Sequence, residues 1–199
     1  MSAPSPAGRV ASGRRPSPRT AACAALIVGG AASLALRPAL LLGPDLSTNA
    51  RTGLLALLYV SLTAASTLPA SPREGAPLPP AVVLAAGSAA VTVAWWTAGP
   101  TAPLAAASTS IALSTAAAVA EEALFRRLAY GHLRRFGVPV TIGATAVLFA
   151  VVHVPAYGAA ALPVDLGAGL LFGWQRWACG TWTVPAITHA GANLLAVMP

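Results

Sequence analysis

"AEEALFRR", residues 120–127, closes a run of 46 residues (75–120) that holds no Asp, Glu, Lys or Arg. Two adjacent carboxylates and two guanidiniums thus arrive together at the end of the longest apolar stretch of the chain. Whether they lie in water or inside an apolar medium decides the fold. The surroundings point to the second. Of 199 residues, 56% are hydrophobic and only 9% charged, whereas a soluble domain carries roughly a quarter charged residues. Such a chain cannot cover its surface with polar groups, so the lipid bilayer is the expected solvent.

A transmembrane helix needs about 20 mostly apolar residues. The charge-free runs are 20–36, 52–72, 75–120, 136–164 and 177–199, and "TAGPTAP" (97–103) divides the longest. The pattern predicts an all-α polytopic membrane protein of about seven transmembrane helices, over 21–43, 53–70, 80–98, 104–131, 138–157, 163–177 and 180–198. Pro and Gly gather between them, in "LGPDLST", "ASPREGAPLPP" and "AGPTAP", as turns require. Trp95/Trp96 and Trp174/Trp177 suit the interfacial belt. Three regions follow: a basic, disordered cytoplasmic tail over 1–19, two N-terminal helices over 20–79, and a core over 80–198.

All twelve basic residues are arginine. Arg9, Arg14, Arg15, Arg19, Arg73, Arg134, Arg135 and Arg176 fall on the cytoplasmic side when the N-terminus is inside, with Arg51 in an outer loop. The net charge of +7 is therefore a topology signal. Nucleic acid is excluded as a partner, because no aromatic interleaving or binding motif accompanies the arginines. A cleaved export signal at "GRRPSPRT" is the weaker alternative, since Pro-Ser follows Arg-Arg and further apolar segments come after it. Cys23 and Cys179 lack CxxC spacing and read as buried packing residues.

Against an Ala, Leu, Val and Gly background, Glu121, Glu122, Arg126, His153, His189 and Asn193 stand out. Ionisable groups at membrane depth are costly and face partners in the bundle interior. Glu122 and Arg126, Phe149 and His153, and His189 and Asn193 are each four apart, on one helical face. Glu121 and Glu122 lie about 100° apart around a helix, so Arg126 neutralises one and the other faces elsewhere. Counted along three helices, from Arg135, Gly137 and Arg176, the polar residues reach a depth of about 20–24 Å at 1.5 Å per residue. That geometry leaves Arg127 buried with no obvious partner. The bland readings are a solvated helix end for the acids, helix–helix glue for His189 and Asn193, and core packing for Phe149. His132 is placed at the interface and Asp165 in the first turn of the sixth predicted helix.

"EEALFR" (121–126), "FAVVH" (149–153) and "HAGAN" (189–193) resemble, in order and spacing, the EExxxR, FxxxH and HxxxN signature of the CPBP family. These are the CAAX proteases and bacteriocin-processing membrane proteins, also called the Abi family, related to the type II CAAX prenyl endopeptidase. The resemblance covers about residues 80–198. It implies an intramembrane endopeptidase with a central polar catalytic cavity, acting on a membrane-associated or lipidated peptide or protein. Glu121 and His153 would activate a water, His189 and Asn193 would stabilise the oxyanion, and Glu122, Arg126 and Phe149 would organise the site. Amide hydrolysis needs such a base and such donors. No cofactor is favoured. Zinc on Glu121, His153 and His189 is the alternative, a sensible ligand set that lacks an HExxH motif. An inactive immunity or scaffold protein of the same fold is the competing function. A proton-relay transporter would show an internal repeat, and none is apparent. Arginine-only basicity and short loops point to a bacterial plasma membrane.

Overall fold

The computed structural model describes residues 17–42, 46–69, 77–98 and 111–196, and among these there is no strand. Helix α1 (Pro18–Ala35) starts where the Ser17 hydroxyl accepts the Thr20 amide N–H and Pro18 occupies the first turn, a start that satisfies an otherwise unpaired donor. It breaks at Leu36, and Pro38, which has no N–H to give, lies in the short α2 (Arg37–Leu42). The single helix expected over 21–43 is therefore two. Helix α3 (Thr48–Thr67) is capped by Ser47 in the same way. Next come α4 (Pro80–Ala98), α5 (Ile111–Glu122), a π-helical segment (Ala123–Ala129) and α6 (Tyr130–Leu133). After them follow α7 (Val138–Tyr157), α8 (Leu162–Cys179) and α9 (Thr183–Ala196).

The helices expected over 53–70, 80–98, 138–157, 163–177 and 180–198 are present as α3, α4, α7, α8 and α9. The tail before Ser17, most of the expected loops, and residues 104–110 of the fourth predicted helix lie outside the described residues. Asp165 stands in the first turn of α8 as expected, and Cys23 and Cys179 are unlinked.

The rod formed by α5 and the π-helix is central. Helices α1, α3, α7 and α8 pack around the π-helix and α9 along α5, while α4 lies outside against α8 and α9. Two glycines make this closure feasible. Gly169 faces Ala146, where a Cβ would come within 2.8 Å of the α7 backbone. Gly180, at φ 70°, ends α8 in the left-handed conformation and lets the chain turn back into α9.

The molecule exposes apolar side chains and buries charged ones within its apolar core. Val28, Leu57, Val60, Val93, Trp96, Val147, Val164 and Ile187 are exposed, whereas Arg37, Glu121, Glu122, Arg126, His153, Gln175, Arg176 and His189 are buried. Among the described residues, three helices are long and apolar enough to cross a bilayer: Pro18–Ala35, Pro80–Thr97 and Val138–Tyr157. An apolar exterior of this extent belongs in lipid, and the chain is an integral membrane protein.

Candidate active site

Residues 120–126 are all buried, and the two acids point to different partners. Glu121 Oε1 accepts a 2.7 Å bond from Arg37 Nη1. Its Oε2 lies 3.4 Å from His153 Nε2 and 3.8 Å from His189 Nε2. Glu122 Oε2 is 3.2 Å from Arg126 Nε, and Glu122 Oε1 is 3.1 Å from His189 Nδ1. His189 thus lies between the two carboxylates, with one ring nitrogen toward each.

Hydrogen bonding assigns the protons of His153. Its Nδ1 lies 2.7 Å from the Phe149 carbonyl, which only accepts, so Nδ1 carries hydrogen. Nε2 then accepts in the neutral ring and donates toward Glu121 in the doubly protonated one. His189 follows the same logic, with Nδ1–H donating to Glu122. Its Nε2 is a donor only in the doubly protonated ring.

Phe149 is buried, as a core residue would be, and it also touches the whole cluster. Its ring centre lies 4.5 Å from that of His153 and 5.5 Å from that of His189. The Arg126 guanidinium stands 4.9 Å from it, with the Phe172 and Phe125 rings also within 6 Å. Such a box of rings offsets part of the cost of a buried cation. Arg126 further donates to the Gly169 carbonyl at 3.1 Å.

Asn193 sits one turn beyond His189, and its amide donates to the Ser114 carbonyl at 3.3 Å, tying α9 to α5. Among the described residues, then, the structure gathers Glu121, Glu122, Arg126, Phe149, His153 and His189. Asn193 is bonded to the backbone of α5 at Ser114, about two turns before Glu122.

Arg127 finds partners that the sequence does not reveal: its Nη2 donates to the Thr67 and Pro69 carbonyls at the end of α3. The π-helix itself is a further surprise. Tyr130 N–H reaches Phe125 O, five residues back, and Arg176 Nε donates to the Arg126 carbonyl at 3.0 Å. Single-turn π segments of this kind concentrate at functional sites.

Four contributors escape sequence reading. Arg37 breaks the expectation that one acid is left without a cation. Tyr59, buried on α3, lies against Arg37. Tyr157 stacks on His153 with ring centres 5.7 Å apart, and Phe172 stacks on His189 at 4.9 Å. Arg37 carries a usable signal, a charge inside an apolar segment. Phe172 carries none.

For zinc, Glu121, His153 and His189 would have to converge on one point. Among the described residues no group of three or more His, Cys, Asp or Glu side chains is disposed to hold a metal ion. Glu121 is already matched by a guanidinium.

Residues 103–195 match the family described as type II CAAX prenyl endopeptidase Rce1-like. This segment is similar to that family's domain. All seven motif residues fall inside it, and Arg37 falls outside. Comparison with curated proteins and with solved structures returned no match. The Rce1-like family is a protease family, and its members act on membrane-associated proteins.

Proposed function

We propose that this protein is an intramembrane endopeptidase that hydrolyses a peptide bond of a membrane-associated or lipidated peptide or protein, without a metal. One observation carries the reading. A buried carboxylate oxygen, Glu121 Oε2, faces two imidazole nitrogens delivered by two other helices.

The chemistry follows from the proton assignments. With an unprotonated Nε2, His153 and Glu121 Oε2 are both acceptors only 3.4 Å apart, so a water set against the pair, not between them, gives a hydrogen bond to each. As its oxygen attacks the peptide carbonyl, one proton passes to this pair, which later returns it to the leaving amine. General base action of this kind contributes about 10²–10⁴-fold. His189 Nε2 faces the same place and, when it carries a proton, donates to the developing oxyanion. The second N–H of the Asn193 amide, beyond the one spent on Ser114, supplies another donor. Each such donor is worth roughly 10²–10³-fold in rate. Glu122 orients His189, and Arg126 balances Glu122.

The expected architecture belongs to this proposal: about seven spans around a central polar cavity, an N-terminus in the cytoplasm of a bacterial cell, and a core that begins near residue 80. The bilayer and a membrane-bound substrate are the partners, and nucleic acid is not.

Comparative peptidomics of membranes carrying wild-type protein or Glu121→Ala tests the reading. Peptide termini produced only by the wild type, at equal protein levels, support it. Identical peptide profiles, with the protein's cellular effect retained by the variant, favour the immunity or scaffold function instead.

A further inference from the structure

Glu121 divides its two oxygens. Oε1 is bonded to Arg37 at 2.7 Å, with both side chains almost wholly buried. Oε2 is buried as well and accepts no hydrogen bond from the protein, although two imidazoles stand near it. A carboxylate rotates about its last bond unless something holds it. The charge-assisted contact from Arg37 is the strongest hold on Glu121.

Arg37 arrives there by design of the backbone. It is 84 residues away in sequence, at the first position of a six-residue helix, just after the break at Leu36. A continuous α1 would carry the guanidinium to a different angle and depth.

We infer that Arg37 is a positioning residue for Glu121: by holding Oε1 it keeps Oε2 turned toward His153 and His189. The active site is thereby completed by a helix lying outside the Rce1-like segment. The inference rests on the peptidase reading for its catalytic consequence. The other charged or titratable groups around Glu121 are Tyr59 on α3, Tyr157 and His153 on α7, Asp165 on α8, His189 on α9, and Glu122 and Arg126 on its own rod. Arg126 is committed to Glu122 and Gly169, so it cannot take the place of Arg37.

The test compares Arg37→Gln, Arg37→Lys, Glu121→Ala and wild type as full-length chains in detergent, with equal helicity and melting temperature as the entry condition. The substrate probe is a fluorescence-quenched peptide with a prenylated CAAX end. With Arg37→Gln, kcat is expected to fall about 10²-fold, the scale on which slight misplacement acts, while KM stays within about twofold. Arg37→Lys, which keeps a cation, recovers about tenfold of that loss. A second readout needs no turnover. Dicyclohexylcarbodiimide, a membrane-soluble reagent that couples to protonated carboxyls, is expected to label Glu121 in Arg37→Gln and to spare it in wild type and Arg37→Lys, as mapped by mass spectrometry.

Full activity in Glu121→Ala would sink the peptidase reading while the labelling still decides the role of Arg37. An inactive Glu121→Ala beside a fully active Arg37→Gln overturns the inference alone. If wild type leaves this peptide uncut, or a variant misfolds, labelling of the folded variants decides: equal labelling with and without the guanidinium refutes the inference.

Discussion

Glu122 and Arg126 form an ion pair in which neither side chain is exposed at all. Removing one member of such a pair strands a charge in the interior, at a cost of about 3–5 kcal/mol. The two single variants should differ within that range. In Glu122→Gln the stranded guanidinium keeps the Gly169 carbonyl and three aromatic rings, and desolvated cation–π contacts offset up to about 2 kcal/mol. Its loss should lie near 3 kcal/mol. In Arg126→Met the stranded carboxylate retains the His189 contact and nothing as strong as the guanidinium, so its loss should lie near 5 kcal/mol. The double variant leaves no stranded charge, since a neutral Gln still accepts from His189 Nδ1. It should therefore be no less stable than Arg126→Met, which makes the two losses far from additive. Denaturant unfolding of the four proteins in one mixed-micelle system, followed by tryptophan fluorescence, measures the cycle. Independent sites add to within about 0.5 kcal/mol. If the two single losses sum to the double within that margin, Arg126 does not offset Glu122 and the electrostatic account of the site is wrong.

Two further outcomes are expected. Cleavage should survive prolonged treatment with a strong chelator such as 1,10-phenanthroline, followed by desalting into metal-free buffer; loss of activity that zinc alone restores would overturn the metal-free proposal. Gly87→Ala should lower stability by roughly 1–3 kcal/mol, the usual cost of overpacking. The new Cβ would overlap Gln175 Nε2, an amide held by the Val83 carbonyl and the Thr188 hydroxyl. A melting temperature unchanged by this substitution would show that the α4–α8–α9 junction is looser than the packing indicates.

Periodicity and charge depletion made the helices and the site's centre legible. Apolar runs bounded by Pro and Gly located α3, α4, α7, α8 and α9, because a span leaves few alternatives to a helix once its backbone must bond internally. Shared helical faces correctly paired Glu122 with Arg126, and the 100° step correctly sent Glu121 elsewhere. Other features were out of reach. The π-helix over Ala123–Ala129 is a tertiary outcome: "ALFRRLA" has ordinary helix-forming residues, and its widened turn is accompanied by an Arg176 contact from a distant segment. Arg127 looked unsatisfied because its acceptors are main-chain carbonyls, which every residue carries and no pattern marks. Phe172, pressed on His189, is indistinguishable in sequence from any core phenylalanine.

Arg37 differs from these, because a balance of charge could have found it. Two carboxylates kept charged in an apolar interior require two cations there, and each partner must be buried to the same degree. Arg126 supplies one. Arg127 and Arg176 sit on the rod and on α8, where each donates to a backbone carbonyl. The remaining arginine within a predicted apolar span was Arg37, at the edge of the 20–36 run. A residue that looks like a flaw at the end of a transmembrane helix is therefore better read as half of an ion pair whose other half already has a name. The same arithmetic argues that α1 and α2 evolved as part of the site. A chain lacking them would leave Glu121 Oε1 without its 2.7 Å guanidinium contact, and so without the hold that turns Oε2 toward the two histidines.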